Sequence, residues 1–203
     1  AVFPLGIWLI NVLAPDGYQK YGWEIIPFLI LMLIVAAFPI IINKTVIFVL
    51  QGVSLAAFLQ FGLLVEMLLT QMAVIAMLVK LRIPKTEYYR YPLNSLMFFA
   101  VSIFSALAYY LAGGTHQEID VTEPRDLLSI LLYMFTFFIS NQLLISFIIY
   151  VRHRSKRVLL GKDLLWEGVS SIVVFPIGII LYMLYQEIEW LAFFLVGIPL
   201  MSV

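Results

Sequence analysis

Glu66 is the one acidic side chain set well inside a long apolar run of this chain, in the phrase FGLLVEMLLTQM. Polar groups within such runs are costly and usually face the interior of a helix bundle, so each is a functional candidate. Gln71 follows five residues on and Gln60 precedes by six, so the three do not share one tight helical stripe. Gln51 belongs to the preceding apolar stretch, Ser140, Asn141 and Gln142 are adjacent near the middle of another, and Asn94 opens a further one. The chemistry this set offers is a polar cavity for a small ligand, open to the outside or to the lipid, built from Glu66, Gln71, Asn141 and Gln142, with Asn94 a further candidate. The same amides also serve as interhelical hydrogen bonds, worth roughly 0.6 kcal/mol each. For Glu66 a purely structural role is harder to justify. Burying an unpaired carboxylate is expensive, and no Lys or Arg is evident inside the apolar runs to pair with it.

Other chemistries have little support. His116 sits beside Glu118 and Asp120 in an acidic loop, and His153 sits in a basic one; no H-E-x-x-H pair places two histidines on one helix face. His116 with its acidic neighbours is a weak cation candidate against the simpler reading of a solvated loop. No G-x-S-x-G elbow, Gly-rich phosphate loop or nucleophile–base pair is present, which makes an enzyme the weakest class and implies no cofactor and no metal. The absence of cysteine excludes disulfides and thiolate sites. With zero formal net charge, no overall field recruits nucleic acid.

The elements that carry these residues are apolar segments. Of 203 residues, 64% are hydrophobic and 12% charged, against about 45–50% and about 25% in a soluble domain. Mean hydropathy is +1.05. The composition predicts a single all-α integral membrane domain over residues 1–203, a polytopic bundle of eight transmembrane segments. The clearest spans are Ile25 to Asn43, Leu93 to Ala112, Leu127 to Tyr150 and Leu164 to Tyr185, each near the roughly 20 residues a crossing needs. Val2 to Ala14 and Ile188 to Val203 read as short or truncated spans. The run from Thr45 to Arg82 is too long for one crossing and breaks near Gln60-Phe61-Gly62 into two helices with a very tight turn. One tilted helix there would reduce the count to seven. The chain opens apolar without the basic region of a secretory signal, and is still apolar at Val203, so the sequence reads as an excerpt cut inside its last helix.

Charge orients the bundle. Lys80, Arg82, Lys85 and Arg90 form one basic cluster, and Arg152, Arg154, Lys156, Arg157 and Lys162 form a second; together they hold nine of the twelve basic residues. Between them GGTHQEIDVTEPRD is acidic, and so is the short connection QEIE. By the positive-inside rule both basic loops are cytoplasmic and the last helix runs inward, giving a cytoplasmic C-terminus. Tyr88, Tyr89 and Tyr91, and Trp8, Trp23, Trp166 and Trp190, fit as headgroup-level anchors near segment ends. Pro84 and Pro92 mark helix boundaries, and Pro176 and Pro199 should kink their helices. Asp163 is placed to favour the positive end of the segment after it. Ser102, Ser105, Ala106, Ala108 and Ala112 offer a face on which another helix can approach closely. Val79-Lys80-Leu81-Arg82 and Val151-Arg152-His153-Arg154 echo one another, which the charge rule acting twice explains as well as a duplicated hairpin.

The phrases RYPLNSLMFF, GKDLLWEGVSS and FFLVGIPLMSV resemble the N-terminal membrane region of Firmicute signalling proteins, in which a multi-helix module precedes cytoplasmic GAF and GGDEF, or related cyclic-di-GMP, domains. The resemblance implies a sensory or regulatory input module of a bacterial plasma membrane; transmission through the last helix to a dimeric output domain would make the protein a homodimer. Its output domain, a nucleotide cyclase or phosphodiesterase, would follow residue 203; the GGDEF signature itself is absent. Short outer loops place any stimulus, whether small ligand, lipid or partner helix, within the bilayer. The competing expectation is a solute transporter or its substrate-binding membrane subunit, since Pro-interrupted helices often border such sites. A structural subunit of a larger membrane complex comes third.

Overall fold

The computed structural model describes residues 22–38, 40–42, 45–47, 50–115, 119–153 and 162–201. The segment Val2 to Ala14, His116, Glu118 and the basic residues Arg154, Lys156 and Arg157 lie outside them. Among the described residues the chain folds into seven helices: α1 (Ile25–Ala37), α2 (Leu50–Phe61), α3 (Leu63–Lys80), α4 (Arg90–Leu111), α5 (Pro124–His153), α6 (Lys162–Ile188) and α7 (Leu191–Met201). Four of them, α3 to α6, are long and apolar enough to cross a membrane. Their surface supports that setting. On α5 the large apolar side chains of Leu128, Leu131, Phe135, Ile139, Leu143 and Phe147 are all exposed at helical spacing, and α6 exposes Val169, Ile172, Val173, Ile180 and Met183. A helix apolar on both its inner and outer faces suits lipid as its surroundings.

Two of the eight expected crossings take another form. The first long apolar run is helical only to Ala37, because Pro39 restricts Phe38, whose φ of −126° and ψ of 71° are no longer helical. The isoleucines beyond it pair instead as an antiparallel ribbon, β1 (Ile40–Ile42) against β2 (Thr45–Ile47), with Ile41 opposite Val46. β-branched residues suit this geometry, so the all-helical expectation gains one small exception. α2, at 12 residues, extends only about 18 Å, short of a core of about 30 Å.

The break expected near Gly62 is present, with φ at +83° and ψ at 178°, a backbone region open essentially to glycine alone. Ser54 and Thr70 stand eight residues to either side of it, yet their hydroxyl oxygens are 3.5 Å apart. The two helices therefore fold back on one another. α2 is sheathed by its neighbours: every residue in it except Gln51 and Gln60 is buried. Those two glutamines tie it to α6, through Ser171 at one end (3.3 Å) and Gln186 at the other. Between them the helices cross at glycine, where a Cβ on Gly178 would lie 2.1 Å from the Gly52 carbonyl oxygen. Phe58 of α2 stacks on Tyr133 of α5 and meets Tyr109 of α4 edge-on, with centroids 4.5 and 5.0 Å apart.

The contacts also sort the helix ends. Phe28 packs on Phe61, Tyr185 and Phe193 at one end of the bundle. At the other, the Lys80 ammonium donates to the Ala37 carbonyl and lies 3.9 Å over the Phe38 ring, a cation placed at a helix C-terminus where the dipole favours it. Val151, at the end of α5, shares a cavity wall with Ile83, Glu87 and Arg90. The first basic cluster and the start of the second thus lie at the same end. α4 stops at the opposite end in a Schellman turn. Gly113 has φ +90°, and Gly113 and Gly114 donate to the Tyr110 and Tyr109 carbonyls.

Candidate functional site

Glu66 lies on α3 one turn beyond Gly62 and is wholly buried. Three hydroxyls converge on its Oε1. Thr70, four residues on and hence on the same helix face, donates at 2.9 Å. Ser102 of α4 donates at 3.1 Å, and the Ser54 hydroxyl arrives from α2. A fourth helix closes the cluster: Tyr133 of α5, also fully buried, is within electrostatic reach of Glu66 and beside the Ser54 hydroxyl without meeting hydrogen-bond geometry. Among the described residues neither Glu66 Oε2 nor the Tyr133 phenol oxygen has a hydrogen-bond partner.

The arrangement is a carboxylate held on one oxygen by neutral donors, with the other oxygen committed to nothing. No cation accompanies it: the one ion pair recorded among the described residues is Arg90–Glu87, at 2.7 Å and partly exposed. Hydroxyls cannot cancel a full charge, so the cluster is neutral only when Glu66 holds a proton or a cation. Of its members only Glu66 stood out in the sequence. Thr70 at i+4 was a visible signal. Ser54, Ser102 and Tyr133 reach it only through tertiary packing, Ser102 as part of the small-residue face that lets α4 approach.

A second polar location lies at the basic end. A cavity of about 960 Å³ opens between the ends of α3 and α5 and the start of α4. Its walls are mostly apolar, including Leu78, Met97 and Ile145, with polar groups from Glu87, Tyr89, Arg90, Asn94 and Asn141. That volume and lining match a site for a small organic ligand. Asn94 is oriented by its own helix, its Nδ2 donating to the Arg90 carbonyl at 2.7 Å.

The five residues singled out in the sequence are therefore not gathered in one place. Asn94 and Asn141 share the cavity wall; Glu66 belongs to the hydroxyl cluster. Gln71 forms a two-way pair with α4, its Nε2 donating to the Ser95 carbonyl at 3.1 Å while the Ser95 hydroxyl donates to its Oε1. Gln142 stands off the cavity wall, and its buried Nε2 has no hydrogen-bond partner among the described residues. Among the described residues no group of three or more His, Asp or Glu side chains could hold a metal ion.

Fold and site together define a helical bundle with four helices of membrane-spanning length, an internal carboxylate cluster and a mostly apolar cavity at its basic end. Set against known protein families, curated proteins and solved structures, the chain gives no match.

Proposed function

We propose that this chain is a sensory or regulatory input module of a bacterial cytoplasmic membrane. It takes a small amphipathic ligand into the cavity between α3, α4 and α5, and signals through α7 to a cytoplasmic output domain. The cavity is the observation that carries this reading: apolar walls suit a hydrocarbon body, while Arg90, Asn94 and Asn141 offer polar partners at one end. Its place at the basic end agrees with a site opening to the cytoplasmic side under the positive-inside rule. A mechanical route exists, since α3 lines the cavity and packs against α1, and α1 packs against α7. A ligand moves such a bundle only by binding one of two packings better than the other. Dimerisation of the full-length protein would let two last helices act on a paired output.

The test is native mass spectrometry of the full-length protein released from its membranes, beside an Asn94→Trp variant that fills the cavity. A copurifying small molecule present in the wild type and lost in the variant is expected. A wild-type protein that carries no such molecule, and whose oligomeric state and output ignore cavity filling, sinks the reading.

A second reading, solute transport, is favoured by one specific feature: the short, glycine-broken α2 beside a buried carboxylate. Discontinuous helices of this kind frame substrate and ion sites in transporters. Uptake into proteoliposomes of the molecule found in the cavity separates the two, because a sensor binds without translocating.

A further inference from the structure

We propose that the oxygen cluster around Glu66 binds a single monovalent metal cation, sodium, between Glu66 and the hydroxyls of Ser54, Ser102, Thr70 and Tyr133. The inference is independent of what occupies the cavity.

Three observations converge. The first is charge. Glu66 is wholly buried among four helices, and its hydrogen-bond partners are uncharged hydroxyls. A lone carboxylate inside an apolar core is neutralised either by a proton or by a cation beside it. The second is the pair of orphans. Among the described residues nothing hydrogen-bonds Glu66 Oε2 or the Tyr133 phenol oxygen, both buried, and buried polar groups in native proteins find partners. The third is ligand type. Carboxylate and hydroxyl oxygens are hard donors that suit hard cations; the Thr70 and Ser102 hydroxyls lie 2.9 and 3.1 Å from Glu66 Oε1 and the Thr70 and Ser54 hydroxyls 3.5 Å apart, which brings several oxygens to one point.

The charge state follows from counting. One carboxylate balances one positive charge; a divalent ion would leave a net charge in the core, and among the described residues no group of three or more His, Asp or Glu side chains is present to hold one. A proton on Glu66 would neutralise it equally well, since the Tyr133 phenol oxygen can accept as well as donate. A metal ion near Oε2 and the phenol oxygen does more, because it also draws on the lone pairs of the surrounding hydroxyls. Such an ion would tie α2, α3, α4 and α5 together.

Purified full-length protein in detergent gives the test, with sodium chloride titrated against choline chloride at constant ionic strength. Radioactive sodium binding to the same protein is followed by scintillation proximity. Sodium is expected to bind saturably and to raise the melting temperature by about 5 °C at a hundredfold excess over Kd. Glu66→Gln, which keeps a hydrogen-bonding side chain of the same shape, should abolish both effects. Ser102→Ala, the milder change if the first variant fails to fold, should weaken the apparent affinity about tenfold. Wild-type protein that binds no radioactive sodium and melts identically in sodium and choline overturns the proposal. So does a melting temperature that rises with acidity and ignores sodium, which assigns the charge to a proton.

Discussion

Gly52 and Gly178 meet at the crossing of α2 and α6 so closely that neither can carry a side chain. A Cβ on Gly178 would stand 2.1 Å from the Gly52 carbonyl oxygen, and one on Gly52 would stand 2.5 Å from the Val174 carbonyl oxygen. Both obstacles are backbone, so the helices themselves would have to separate. Gly178→Ala should therefore lower stability by about 1–3 kcal/mol, the usual cost of overpacking. Gly168→Ala on the same helix is the control. Its Cβ would meet only the Phe138 ring, at 3.5 Å, and helix propensity makes that change neutral or mildly favourable. Equal destabilisation of both variants in a thermal melt would refute the close crossing.

The Gln71–Ser95 pair joins α3 to α4 by reciprocal hydrogen bonds, and its role is structural. Gln71→Leu should cost on the order of 0.6 kcal/mol. Combined with Ser95→Ala in a double-mutant cycle, the two changes should show coupling of the same sign and size. Ligand retention should be untouched, because Gln71 does not border the cavity. A Gln71→Leu protein that keeps its stability and loses its ligand would return Gln71 to the binding site.

Since the chain has no cysteine, single-cysteine variants label cleanly. The Lys85→Cys and Arg154→Cys variants should react with an impermeant maleimide from the cytoplasmic side, and Thr115→Cys and Glu123→Cys from the opposite side. Labelling of Lys85→Cys and Arg154→Cys from opposite faces would contradict the end-sorting seen at Lys80, Ala37 and Val151.

Asp120, exposed in the acidic loop, accepts from the Thr122 hydroxyl at 2.7 Å and from its backbone N–H at 2.8 Å. The hydroxyl bond first, and the backbone bond second, hold its carboxyl below the ordinary 3.8. The folded-state value is thus depressed relative to the unfolded one. The local stabilisation is full above the unfolded value and is lost as pH falls through the folded one. Thr122→Ala should move the Asp120 titration up towards its ordinary range, as read by carboxyl-carbon NMR. An unchanged titration would leave the hydroxyl bond without effect.

What could be read beforehand divides by the range of the signal. α4, α5 and α6 were legible because a spanning helix is a local statement about some twenty residues, and Gly62 was legible because the run around it was too long for one crossing. The ribbon at Ile40 to Ile47 was not, since hydropathy scores isoleucine alike in strand and helix. Glu66 announced itself as an acid among leucines. Its partners did not: Ser54, Ser102 and Tyr133 are ordinary in such helices, and only folding brings them together from three different elements. Asn94 and Asn141 met in a cavity for the same reason, while Gln71 and Gln142 went elsewhere.

The sheathing of α2 bears on how the protein is made. A twelve-residue helix with no lipid-facing side cannot lodge in a bilayer by itself, because it neither spans the core nor offers the bilayer an outer surface. It must slot between α3 and α6, its principal neighbours among the long helices, which makes biogenesis a two-stage affair in which insertion of the long helices comes first. Pulse-labelled nascent chains should accordingly show α3 to α6 protected from protease before α2 is. The glycine crossing would then be the last joint to close.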